Sequence, residues 1–279
     1  MIKQVAVAVA LSLTLAPMAQ GQVSSSQNGV LNQNVSDLWW VPTESGWGIQ
    51  LNQMASTVFA TLYVYNQSGQ PTWYTAELTA QGNGVYSGPV IQSNGTAGTY
   101  FGATSFDAGQ VTRTTVGTMT LSMQTNGTAF LSYTVNGVSV NKTIQRQTLV
   151  NNDITGTFQV QGNITASNCT SASNNGTSIG TSTVSVVNTG DANSAARQIT
   201  WTFPNGSTCI YTGNQAQGGR FSSLSGATYT CSTGETGTLD FSGLSSSNGM
   251  FSGSLSGTQN SNGCSYTGGF SGLSTTFGQ

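Results

Sequence analysis

The chain has 279 residues, of which only 5% are charged; six Lys and Arg against eight Asp and Glu leave a net charge of −2, and histidine is absent. Without histidine there is no Ser-His-Asp triad, no Cys-His pair and no His-ligated metal, so most hydrolase and oxidoreductase mechanisms are excluded. No basic stripe is present, which argues against nucleic acid as a partner, and no motif calls for a cofactor.

Residues 1–21 read as a secretory signal peptide. Lys3 precedes an apolar run from Val5 to Ala16, and the small residues Ala19 and Gly21 fit a cleavage site that leaves Gln22 first. The run is shorter than the roughly 20 apolar residues of a spanning helix. No later stretch is apolar enough to be an integral membrane segment once the signal is removed. The expected location is secreted, periplasmic or on the cell surface. A Ser/Asn/Gln-rich stretch, 22–36, follows as a flexible leader.

From 37 to 149 the sequence alternates with period two between tight turns, the signature of short antiparallel strands. Val58, Ala60, Leu62 and Val64 share one face of a strand; Thr57, Phe59, Thr61, Tyr63 and Tyr65 share the other. Nine Asn-Gly dipeptides punctuate the chain, and Asn-Gly suits the type I′ turns of two-residue hairpins. About eight strands with short connections fit an up-and-down β-barrel-like meander. A β-sandwich is the alternative. The polar residues 150–153 read as a linker, and 154–279 as a second all-β domain.

All four cysteines, Cys169, Cys209, Cys231 and Cys264, fall in that second domain. Export and an even count favour two disulfides over a metal site, since there is no C-x-x-C pair. Four cysteines allow three connectivities. Cys209 with Cys231 would join strands close in sequence, and Cys169 with Cys264 would join early and late strands.

The densest cluster in the chain is Asp37-Leu38-Trp39-Trp40-Val41-Pro42-Thr43-Glu44-Ser45-Gly46-Trp47-Gly48, followed by Phe59–Tyr65 and by Gly69-Gln70-Pro71-Thr72-Trp73-Tyr74. With these motifs the stretch Asp37 to Arg146 resembles a family of secreted bacterial β domains marked by W-x-P-x-E-S-G-W-G and G-x-P-x-W-Y. The cysteine-bearing half is similar to a companion module. The resemblance brings no activity with it.

Trp40, Glu44, Trp47, Tyr63, Tyr65, Trp73 and Tyr74 are the candidate ligand-binding residues. Glu44 and Trp47 admit two readings. They could form a rim site in which a carboxylate and an indole hold a ligand. Alternatively they could plug a barrel end, with Glu44 accepting backbone N–H groups in the turn. For Phe59, Tyr63, Tyr65 and Trp73, core packing is the default for such large rings; an exposed contiguous patch would instead make a platform for stacking on sugars. Asp37 with Glu44, or Glu44 with Glu77, could in principle serve as the two acids of a glycosidase.

Three functions are compatible with this sequence. The first is a non-catalytic extracellular binding protein for carbohydrate or a small apolar molecule. The second is a structural or adhesive surface component. The third is a carboxylate-dependent glycan hydrolase. The first is expected, and with it no enzymatic activity.

Overall fold

The computed structural model describes residues 34–95, 105–124, 127–191 and 194–276. The expected signal peptide and most of the leader lie outside them. The remainder is all-β, with two short 3₁₀ turns, and forms two closed antiparallel barrels of eight strands each.

The first barrel runs in chain order through β1 (Asp37–Trp40), β2 (Gly48–Met54), β3 (Thr57–Tyr65), β4 (Pro71–Gly82), β5 (Val85–Asn94), β6 (Thr112–Met123), β7 (Thr128–Val135) and β8 (Val138–Arg146). Each strand pairs with the next. The barrel closes where Trp39 and Trp40 of β1 meet Arg146 and Gln145 of β8. Closure rules out the sandwich alternative for this half. Asn83-Gly84 and Asn136-Gly137 have φ of +49° and +72°, and +49° and +84°. Both are pairs of left-handed residues of the kind that joins twisted strands in a two-residue hairpin.

The second barrel comprises β9 (Gly156–Ser167), β10 (Gly176–Asn188), β11 (Ala196–Thr202), β12 (Thr208–Gly218), β13 (Phe221–Cys231), β14 (Thr236–Ser247), β15 (Met250–Gln259) and β16 (Ser265–Ser274). It closes through ten residue pairs between β16 and β9, from Ser265↔Ser167 to Ser274↔Phe158. Both disulfides sit at one end of this barrel. Cys209 and Cys231 face each other across β12 and β13, and Cys169 and Cys264 tie the exit of β9 to the entry of β16.

Both interiors are filled with apolar side chains. Val58, Ala60, Leu62, Leu121 and Leu131 line the first, and Phe158, Trp201, Phe241 and Phe251 the second, all buried. Each such valine, leucine or phenylalanine contributes about 1.5–3 kcal/mol relative to exposure. The outward faces are largely Thr, Ser, Gln and Asn; Thr212, Thr228, Thr238 and Thr258 form one rank across β12–β15. A barrel that spans lipid has the opposite polarity, apolar outside and polar within.

The barrels are joined more closely than a loose linker would join them. Asn152 is buried: its Nδ2 donates to Ser222 Oγ (3.0 Å) and Leu244 O (2.9 Å), and its backbone N–H donates to Gln217 Oε1 (3.0 Å). The β12–β13 hairpin lies against the end of the first barrel, with Phe221 beneath the Arg146 guanidinium, 4.9 Å from ring centre to Cζ. The leader is also fixed at its last residues. Val35 is buried, its N–H donating to Gln53 Oε1 (2.8 Å), and Ser36 Oγ accepts from Gln53 N (2.7 Å). The expectation of flexibility up to residue 36 is corrected there.

Candidate functional site

The motif residues separate into three groups. Side chains on β1–β4 alternate in and out, so the period-two rule decides which can meet.

The first group is outward. Tyr63 on β3 pairs with Trp73 on β4, and Gly48 on β2 pairs with Tyr63. The β1–β2 register, Asp37↔Leu51 through Trp39↔Ile49, places Trp40 beside Gly48. Trp40, Gly48, Tyr63 and Trp73 therefore form one rank across four strands. Gly48 leaves a gap in that rank between two rings. A Cβ there would lie 3.1 Å from the Trp39 carbonyl oxygen, so the neighbouring backbone leaves little room for a side chain. Two pairs further along, on the same face, Tyr65 faces Pro71. Tyr63, Tyr65 and Trp73 are 46%, 55% and 56% exposed. With Gly46, Pro71 and Thr72 they line an open groove of about 240 Å³. The default of core packing for Phe59, Tyr63, Tyr65 and Trp73 is thus corrected: all four lie on the outside.

The second group joins the β1–β2 turn to β8. The chain leaves β1 at Val41 and turns, Glu44 N donating to Val41 O (2.9 Å). Trp47 packs half-buried against the core, and its Nε1 donates to Glu44 Oε2 (3.0 Å). Lys142, on the inward-facing parity of β8 with Ile144 and Arg146, donates from Nζ to Glu44 Oε1 (2.7 Å). These two donors, Lys142 first, hold the Glu44 carboxyl below its ordinary pKa of 4.5. Glu44 differs from the plug reading in its partners, an indole and an ammonium rather than backbone N–H groups.

The third group is interior. Tyr74 is buried, inside the barrel. Burial raises the pKa of Tyr133, and nearby Tyr74 adds to the effect. Tyr74, a candidate ligand-binding residue by sequence, therefore lies inside the barrel and not on the outer face with Trp73, as strand alternation requires.

Sequence reasoning missed Lys142 and Arg146. The available signal was two cations spaced by an even number on a strand whose inward face also carries Ile144. Arg146 is buried, its Cζ 4.6 Å from the Trp39 ring centre. It donates to Asp37 Oδ2 (3.1 Å) and Asn34 O (2.7 Å).

The carboxylates considered as acid pairs each face a cation: Asp37 with Arg146 at 3.1 Å, Glu44 with Lys142 at 2.7 Å, Glu77 with Arg113 at 3.9 Å. Asp37 opens β1 and Glu44 follows its exit, so the two lie toward opposite ends of the barrel. Among the described residues no group of three or more Cys, Asp or Glu side chains could hold a metal ion. A second open depression, about 430 Å³, lies on the second barrel over β12 and β13. Thr208, Thr212, Thr228, Thr230 and Ile210 surround it, without a charged side chain.

No family model and no curated protein matches the chain. Among solved structures, a candidate outer membrane protein of Bacteroides fragilis is 14% identical over 82% of this chain and 95% of that one, with a TM-score of 0.30. Isotype 1 transferrin-binding protein B of serogroup B Neisseria meningitidis is 10% identical over 89% of this chain and 69% of that one, with a TM-score of 0.22. Scores this low leave the reading of the site to its own geometry.

Proposed function

We propose that this is a non-catalytic, extracellular or cell-surface binding protein whose ligand is carbohydrate. The observation that carries the reading is the outward-facing rank of half-buried Trp40 and exposed Tyr63 and Trp73, beside the Tyr65–Pro71 groove. Large rings are normally removed from water. A contiguous exposed set, on a barrel whose interior is already full, supports a surface that binds something. Aromatic faces flanked by uncharged hydrogen-bonding side chains suit sugars, which present apolar C–H faces and polar edges. The packed interiors disfavour a small apolar ligand inside either barrel. Two disulfides and a signal-like first segment support an oxidising location outside the cytoplasm.

A glycan array probed with the wild-type protein and with Trp73→Ala tests the reading. Wild type should bind and the variant should not, while both melt at the same temperature. Failure of the wild type on every glycan, or equal binding by both proteins, would count against it.

A further inference from the structure

The outer face of β2–β4 carries a second ring that the groove does not use. Phe59 lies on the same face of β3 as Tyr63, four residues earlier, and is 36% exposed. At the strand rise this places it about 13 Å from Tyr63. Asn52 and Glu77 flank Phe59 on the neighbouring strands. Between the two aromatic stations lies a rank with no ring at all: Gln50, Thr61 and Thr75, side by side on β2, β3 and β4. The Tyr63 hydroxyl donates to Gln50 Oε1 at 3.5 Å, which orients that amide.

We infer that this face takes a linear, uncharged glycan lying lengthwise along β3, and that its second stacking station is Phe59. The inference rests on the carbohydrate reading above and extends it. Ring, hydrogen-bonding rank, ring is the order in which a chain of linked pyranoses presents itself when an outer sugar stacks at each end and a middle one offers its hydroxyls. A protein partner would find the polar middle rank a poor match, because it interrupts the apolar contact. Glu77 is the sole charged residue on β2, β3 and β4, and it pairs with the equally exposed Arg113 at 3.9 Å. The strip therefore carries no unbalanced charge with which to select a polyanion. A 13 Å separation is too long for one sugar to reach both rings and suits about three linked rings.

Isothermal titration of the full chain with neutral cello-, xylo- and chito-oligosaccharides of increasing length tests the inference. Polygalacturonate oligomers serve as the charged comparison. Affinity should rise about tenfold or more between the dimer and the tetramer of a bound series. Phe59→Ala should abolish that step while leaving dimer affinity and the melting temperature unchanged, and Trp73→Ala should weaken every length. A bound series without a length step, or a step that survives in Phe59→Ala, would confine the ligand to the Tyr63–Trp73 groove. That result would overturn this extension and leave the carbohydrate reading standing. Tighter binding of the polygalacturonate series would overturn the claim of neutrality. No binding by the wild-type protein in any of these series would overturn this extension, and the glycan array decides the carbohydrate reading.

Discussion

Asp37, the first residue of β1, and Arg146, the last of β8, form an ion pair of 3.1 Å at the seam that closes the first barrel. The Arg146 side chain is fully buried and that of Asp37 nearly so. Trp39 from its own barrel and Phe221 from the other both lie against the guanidinium. Burial lowers the Arg146 pKa and the pairing with Asp37 opposes that shift, which is the reason the partner matters.

Asp37→Ala removes the only carboxylate paired with this buried cation among the described residues. Losing one member of a buried pair costs about 3–5 kcal/mol. Chemical denaturation should show a midpoint lowered accordingly, and a loss below about 1 kcal/mol would mean that Arg146 re-solvates freely.

Gly219 occupies the β12–β13 turn at φ +61°, and a Cβ there would overlap Asp37 Oδ2 and the Arg146 side chain. Gly219→Ala should loosen the contact between the barrels, adding backbone strain of about 1–3 kcal/mol to the steric conflict. Hydrogen exchange should then rise around Asp37, Arg146 and Phe221. Unaltered protection at those residues would show that the hairpin does not seal the barrel end.

Cys209–Cys231 and Cys169–Cys264 should leave no thiol open to alkylation in the native protein. Reduction should destabilise the second barrel, by about 2–5 kcal/mol per bridge, and leave the first barrel's transition in place. Loss of both transitions together would mean that the two barrels unfold as one unit.

Glu44 gives a pH signature whose sign follows from its partners. Its pKa is depressed on folding, so its stabilising contribution is complete above the ordinary value of 4.5 and is lost as pH falls through the folded value. Glu44→Gln should remove that acid-side slope while keeping the shape of the turn. Trp47→Ala should lower stability at all pH values, by less than the ~3–5 kcal/mol of a fully buried ring because Trp47 is only half-buried. A Trp47→Ala protein with an unchanged melt would reopen the rim-site reading of this loop.

The antiparallel meander was legible because alternation and Asn-Gly turns are local signals, whereas its closure into barrels rather than a sandwich was not. Asn136-Gly137 adopts the left-handed pair its sequence implies. Two disulfides were legible from an even cysteine count, but their connectivity was not: Cys169 and Cys264 stand 95 residues apart and meet only because β9 and β16 close the barrel. The shared face of Phe59, Tyr63 and Tyr65 was also legible, but not which face it was. Strand β3 is apolar on both sides, so periodicity cannot assign its inner surface. Closure decides: an eight-stranded barrel has an interior just wide enough for side chains, and it encloses Val58, Ala60 and Leu62 while the larger rings go outside. The junction was not legible. Phe221 is far from Arg146 in sequence, and their contact depends on one barrel meeting the other.

The two closures differ in reach: the second barrel is sealed along ten residue pairs with a disulfide at its end, the first where Trp39 and Trp40 meet Arg146 and Gln145. Under a pulling force on the chain ends, the first barrel has the weaker zip, and β1 is the strand to peel. Trp40 stands on that strand, in the same rank as Tyr63 and Trp73. A ligand gripping all three rings would fasten β1 to its neighbours from outside, so occupancy would raise the force at which the protein opens.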